Sequence, residues 1–288
     1  HGTLTLATTT GLAFAAGTGS GDAAMTFTGT LAAIDAALDG LRYAPAADFF
    51  GADAITATLN DAPSGGAHLV AGTVSLAVSG VNDPPTLSVP GAQTVAEDGP
   101  LVFAAARGNA LVVSDIDAGA GPLQVFLSVT QGTLTLAQTA GLTFVTGTGA
   151  GDAAMMFTGT QAAIAAALDG LTYQGGADFN GGDTLSVAVS DLGNSGAGGP
   201  ATRTGNVAIT VTAVNDAPSV ALPAALAAVE QTPLALTGVG LSIADVDAGN
   251  APVQVTLAVG EGLLQADAGA TGVTVQGSGT STVTLVGS

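Results

Sequence analysis

Cysteine, lysine and tryptophan are absent from the 288 residues, and Arg42, Arg107 and Arg203 are the only strongly basic side chains. Without cysteine there is neither a disulfide framework nor a thiolate metal site. Without clustered lysine and arginine nothing here can track a phosphate backbone, which excludes nucleic acid as a main partner. Anionic lipid surfaces are excluded on the same ground. Aromatic residues make up 4%, mostly phenylalanine in strand contexts, so stacking platforms for sugars are scarce. No apolar run approaches the length that spans a bilayer, so no direct membrane insertion is expected in this segment. The chain does not open with a charged-then-apolar signal segment, and any anchor or secretion signal is expected outside these residues. Catalysis also lacks material: there is no cysteine or lysine nucleophile and no histidine paired with a recurring Ser or Asp. No enzymatic activity is expected.

What is present is acid, alanine, glycine and repetition. Asp and Glu number 22, the net charge is −19, and a field of that sign attracts cations. Hydrophobic residues make up 47%, enough for a core. Gly2-Thr3-Leu4-Thr5-Leu6-Ala7 returns as Gly132-Thr133-Leu134-Thr135-Leu136-Ala137, and Gly21-Asp22-Ala23-Ala24-Met25 as Gly151-Asp152-Ala153-Ala154-Met155. Between residues 2–61 and 132–191, 38 of 60 aligned positions are identical. Val81-Asn82-Asp83-Pro84-Pro85 returns as Val214-Asn215-Asp216-Ala217-Pro218 at a shift of 133, the extra three residues falling in a glycine-rich loop, Gly193 to Gly199. Asp115-Ile116-Asp117 returns as Asp245-Val246-Asp247 at 130, and Glu97 has its counterpart in Glu230. A period of this length makes the chain an array of one repeated unit. The expected division is residues 1–81 as the C-terminal part of a first repeat, 82–214 as a complete repeat, and 215–288 as the N-terminal part of a third. Either a window from a longer array or completion by neighbouring chains accounts for the partial units.

Local pattern predicts short antiparallel strands. Leu185 to Ser190, Val207 to Thr212, Leu123 to Val129 and Val253 to Leu257 alternate apolar and small polar residues, with Gly, Asn, Asp and Pro between runs. The exception runs from Thr160 to Leu171. A threonine suited to an N-cap, an alanine-rich run and a glycine suited to a C-cap predict a helix of two to three turns, with Ile164 and Leu168 facing the core. Thr30 to Leu41 repeats it. The fold class is therefore all-β, tandem antiparallel sandwiches each with one short inserted helix.

Several motifs then fall into order. Asp183 to Gly193, Val207 to Val211 and Val214-Asn215-Asp216-Ala217-Pro218 resemble the end of a cadherin repeat and its linker, Asp245-Val246-Asp247 resembles the Asp-x-Asp of the next domain, and Glu97 the glutamate near a domain's start. Together with Phe157-Thr158-Gly159-Thr160 ahead of the alanine-rich helix and Asp178-Phe179-Asn180-Gly181, the chain is similar to the cadherin-like tandem repeats of large bacterial surface adhesins. The resemblance covers essentially the whole chain and implies cadherin- or immunoglobulin-like sandwiches with Ca2+ at the junctions. Calcium takes six to eight hard oxygen ligands from flexible loops, and the acids here cluster where loops converge. At the first junction the implied ligands are Asn82 and Asp83 of the linker, Asp115, Asp117 and Asp191 of the following domain, and Asp48 with Asp53 of the preceding one. At the second they are Asn215, Asp216, Asp245, Asp247, Asp178, Asp183 and Glu97. Cadherins carry Asp-Arg-Glu where this chain has Asp178-Phe179-Asn180-Gly181-Gly182-Asp183, which leaves the number of ions per junction open.

Other acids have plainer uses. Asp22 and Asp152 are expected as turn residues, and Asp39 and Asp169 as turn formers or auxiliary ligands. His1 and His68 do not recur, so neither is a shared ligand or base. The glycine runs 17–21 and 147–151 are hairpin glycines, since no lysine follows them. The resulting expectation is a calcium-stabilised stalk module of an extracellular, bacterial cell-surface adhesin or filament, whose partners are neighbouring repeats. A self-assembling sheath, filament or surface-layer subunit, with identical chains completing each other's strands, is the alternative. A glycan- or protein-binding module has least support.

Overall fold

Period-two alternation and glycine-bounded turns give strands almost everywhere the sequence predicts them. The computed structural model describes residues 1–61 and 69–288; His68 lies outside them. Two units are distinguished, one of residues 1–176 and 181–211, the other of residues 177–180 and 212–288.

The first unit opens with β1 (Gly2–Thr5), β2 (Leu12–Ala16), β3 (Thr26–Gly29), α1 (Leu31–Leu38), β4 (Arg42–Pro45), β5 (Gly51–Asn60) and β6 (Leu69–Val78). These pair two by two, β1 with β4, β2 with β3, and β5 with β6. The central repeat follows with β7 (Thr86–Ser88), β8 (Gln93–Ala96), β9 (Pro100–Phe103), β10 (Val112–Ser114), β11 (Pro122–Ser128), β12 (Gly132–Thr135), β13 (Leu142–Thr146), β14 (Ala154–Thr160), α2 (Gln161–Leu168), β15 (Leu171–Gly175), β16 (Gly181–Ser190) and β17 (Thr202–Thr212). Here the strands form a six-stranded sheet, β13-β14-β11-β16-β17-β8, and a three-stranded one, β12-β15-β9. Strands β7 and β10 pair separately.

The core lies between these sheets because alternation puts every second residue of each strand on one face. Leu123, Val125 and Leu127 of β11, Phe157 of β14 and Leu185 and Val189 of β16 are wholly buried, as are Phe103, Leu134, Leu171 and Tyr173 of the smaller sheet. The architecture is an antiparallel β-sandwich with one short helix. In α2 the Thr160 hydroxyl accepts from the Ala163 N–H at 3.3 Å, satisfying one of the orphan donors of the first turn. Ile164 and Leu168, one turn apart, are buried as expected. The helix stops where Gly170 takes φ +113°, a conformation that disfavours a β-carbon. Both copies carry the same bulge, at Phe14–Ala16 and Phe144–Thr146.

The second unit contains β18 (Ser219–Ala221), β19 (Ser242–Ala244), β20 (Val253–Ala258), β21 (Thr274–Gln276) and β22 (Thr282–Gly287). Its sheet order β20-β22-β21 reproduces β11-β14-β13 of the central repeat, as the 130-residue shift requires. No helix among the described residues is long and apolar enough to cross a membrane.

Candidate metal centre

The first linker positions its carboxylates through backbone hydrogen bonds. Pro84 removes one donor and holds the residue before it extended. The Asp83 N–H then donates to Asp117 Oδ2 at 2.5 Å. Asp117 belongs to a turn that Asp115 organises, since Asp115 Oδ1 accepts from the Asp117 N–H at 2.8 Å and the Ala118 N–H at 2.9 Å. The turn is tied to the helix as well, the Asp115 N–H donating to Gln161 Oε1 at 2.9 Å. Asp115 and Asp117 are both buried. Asp115 Oδ2 is buried and meets no donor. An anionic oxygen in that condition costs on the order of 1–3 kcal/mol or more unless something positive reaches it.

The electrostatics point the same way. Desolvation first, and then the neighbouring carboxylates of Asp117, Asp48 and Asp115, push Asp83 above the usual carboxylate range. Asp48 reaches this group from the Asp-Phe-x-Gly turn that precedes β5. It holds φ +57°, a left-handed conformation that few non-glycine residues adopt, and Asp178 at the same place in the next copy holds φ +56°. A concavity of about 300 Å³ lies among Asp48, Phe49, Phe50, Asp83 and Asp117. Asp48, Asp83 and Asp117 thus line one concavity, and the Asp115 carboxylate stands near enough to act on Asp83, so the donors here are hard oxygens.

The second unit builds its own linker in the same way. Asp245 Oδ1 accepts from the Asp247 N–H at 3.0 Å and the Ala248 N–H at 2.9 Å. Asp247 Oδ2 accepts from the Asp216 N–H. A carboxylate oxygen of Asp216 lies within 4.8 Å of one from Asp247 and of one from Asp178. Acidic groups here stand close enough to hold a metal ion. Asn215 is exposed and its side-chain N–H donates to the Asp216 carbonyl at 3.0 Å.

Asp53, Asp183 and Asp191, also singled out from the sequence, are held by protein donors. Asp183 is buried and accepts from Thr130 N–H, Thr130 Oγ1, Gln131 N–H, Thr184 N–H and the Tyr173 hydroxyl, all within 3.0 Å. Burial pushes this carboxyl up, but those donors outweigh it and hold it below its ordinary value. The Tyr173 phenol is pushed up by burial and by the Asp183 carboxylate. Asp53 reproduces the contact, accepting from the Tyr43 hydroxyl at 2.7 Å. Asp53 and Asp183 therefore brace the strands on which they sit. Asp191, also buried, accepts from Gly193 N–H and Ala201 N–H through Oδ1 and from the Asn82 amide through Oδ2. Glu97 is buried in the first unit. Asp152 accepts from Thr148 N–H and Gly149 N–H, the turn role expected of it and of Asp22. Asp169 takes the Ala105 N–H at 2.8 Å. Sequence inspection missed the Tyr-Asp brace, although its spacing of ten residues recurs in both copies (Tyr43 with Asp53, Tyr173 with Asp183).

A comparison with protein-family models and with curated proteins returned no match.

Proposed function

We propose that the chain is a calcium-stiffened structural segment of a bacterial cell-surface adhesin or extracellular filament, a stalk of cadherin-like repeats whose Asn-Asp-x-Pro linkers bind the cation. The observation that carries this is the Asp115 carboxylate, buried with one oxygen lacking a donor beside an Asp83 whose ionisation is opposed by desolvation and then by its acidic neighbours. Repulsion of that kind is what a divalent cation relieves, and oxygen-only donors suit calcium better than softer metals. Asp48, Asp83, Asp115 and Asp117 would hold it, with Asn82 adding a neutral oxygen. A bound ion would supply positive charge at the linker, so that adjacent repeats resist bending. The resemblance to adhesin repeats adds the extracellular setting and the neighbouring repeats as partners.

The test is a thermal melt in excess chelator and again in saturating calcium. A cation at about 100 times its Kd stabilises by roughly 2.7 kcal/mol. For a chain of this size that raises Tm by about 5–10 °C. Asp115→Asn is expected to abolish the rise while leaving the melt in chelator unlowered, because it removes a repelling charge. Identical melting with and without calcium removes the cation from the account.

A further inference from the structure

The three extra residues of the central repeat fall in the loop at 193–199, and the cation centre makes no use of them. The loop lies along the first linker. Val81 forms a parallel bridge with Ala197. The Asn82 N–H donates to the Ala197 carbonyl at 2.9 Å, and the Ala197 N–H donates to the Gly80 carbonyl at 3.0 Å. The Asn82 side-chain amide reaches further, donating to Asp191 Oδ2 at 2.7 Å and to the Gly199 carbonyl at 3.2 Å. Linker and loop are thus joined by three hydrogen bonds, two through backbone donors and one through the Asn82 amide, whose other bond goes to Asp191 just before the loop.

Glycine makes this approach feasible. Gly193, Gly196, Gly198 and Gly199 all hold positive φ, at 67°, 75°, 135° and 73°. A β-carbon on Gly196 would stand 2.6 to 2.8 Å from backbone atoms of Gly80, Val81 and Asn82, and backbone cannot yield as a side chain would. Gly196 therefore meets two demands at once, a left-handed turn and direct contact with the linker main chain. Asp191 anchors the base of the loop, its other oxygen held by Gly193 N–H and Ala201 N–H.

We propose that loop 193–199 is a latch that fixes the first linker to the repeat that follows it, with no cation required. It adds a short stretch of strand-like pairing to the linker backbone, the mode by which extended peptides are captured at a sheet edge. None of its hydrogen bonds involves a group that must bind metal to be satisfied. Holding Asn82 in place also presents the Asp83 N–H to Asp117, so the latch preorganises the acidic group before any ion arrives. The 133-residue shift between the two linkers is then the sequence mark of a latched junction. This inference does not rest on the calcium proposal.

Amide hydrogen exchange of the intact 288-residue chain in excess chelator tests it. The Asn82 and Ala197 amides are expected to be protected in chelator. In Gly196→Ala both lose protection by about tenfold or more, while amides such as Val187 and Val207 in β16 and β17 keep theirs. Asn82→Ala leaves the loop backbone untouched, so it decides the matter if Gly196→Ala disturbs folding; its expected effect is a loss of about tenfold at Ala197. Free-peptide exchange at Asn82 and Ala197 in the unaltered chain in chelator overturns the latch. Protection that appears only when calcium is added also overturns it, while supporting the cation centre. Protection in chelator that calcium leaves unchanged supports the latch.

Discussion

Residues 2–61 and 132–191 are nearly the same text, and they fold locally in nearly the same way. Each builds a bulged hairpin, an eight-residue helix capped by threonine, and a Tyr-Asp brace. Burial separates them. Leu134, Met155, Phe157, Ile164, Leu171 and Tyr173 are wholly buried, whereas Leu4, Met25, Phe27, Ile34, Leu41 and Tyr43 are only partly covered. In the central repeat β11 stands between β14 and β16, and β9 completes the smaller sheet beside β15. Among the described residues β3 and β5 have no such strand between them, and Leu59, Val70 and Val74 of the β5–β6 hairpin remain exposed. Secondary structure here follows from local sequence, and the core follows from strands far away in the chain.

The largest expected difference lies at the helix. Ile164→Ala should destabilise the central repeat by about 2–5 kcal/mol, since it removes a fully enclosed side chain. Ile34→Ala should cost about 1 kcal/mol or less, because water already reaches that site. Urea unfolding of the two variants measures both. Equal losses would break the comparison, and would mean that residues 1–61 enclose Ile34 in solution.

The braces should differ next. Asp183→Asn removes charge from a buried acceptor of five hydrogen bonds and should cost about 2–3 kcal/mol, with a smaller loss expected for Asp53→Asn. Protons extend this test. Asp183 and Asp191 are held below their ordinary range, so their contribution is fully present above the unfolded carboxylate pKa and is lost as pH falls through the depressed folded value. Asp83 is raised, so its ionisation opposes folding above that raised value and the penalty is relieved as pH falls toward the unfolded pKa. Stability measured in chelator should therefore improve on mild acidification and then fall at lower pH. In Asp83→Asn the early improvement should shrink and the later loss remain. A monotonic loss from neutral pH downward in the unaltered chain would contradict the raised Asp83.

How much of this could be read in advance depends on range. Alternation in Leu185 to Ser190 and capping at Thr160 act over a few residues, and both appear in the sequence as they appear in the structure. The gathering of Asp83, Asp115 and Asp117 was legible because a linker and an Asp-x-Asp turn recur together. Recurrence alone does not separate a carboxylate that faces other carboxylates from one enclosed by donors. Asp48 and Asp53 recur equally, and so do Asp178 and Asp183. What distinguishes Asp183 is Thr130 and Gln131, some fifty residues away, and a tyrosine hydroxyl that only the paired strands bring near. The latch was hidden for a related reason. A glycine-rich insertion shows that a loop is permitted unusual geometry, and gives no sign of the backbone it will touch.

The smallest effect carries the cleanest comparison. Thr30 and Thr160 each accept from the N–H three residues on at 3.3 Å, with the same extended backbone at the cap. Removing an N-cap hydroxyl costs about 1 kcal/mol, and the cost arises within the first helical turn. Thr30→Ala and Thr160→Ala should therefore speed exchange at Ala33 and Ala163 by similar factors, about fivefold. Burial differs greatly between the two helices, so tertiary packing would predict unequal changes. If the Thr160 variant responds much more strongly, the cap is part of the core and local sequence does not account for the helix. If the two match, the first copy holds its helix by capping while lacking the enclosure that buries Ile164 in the second.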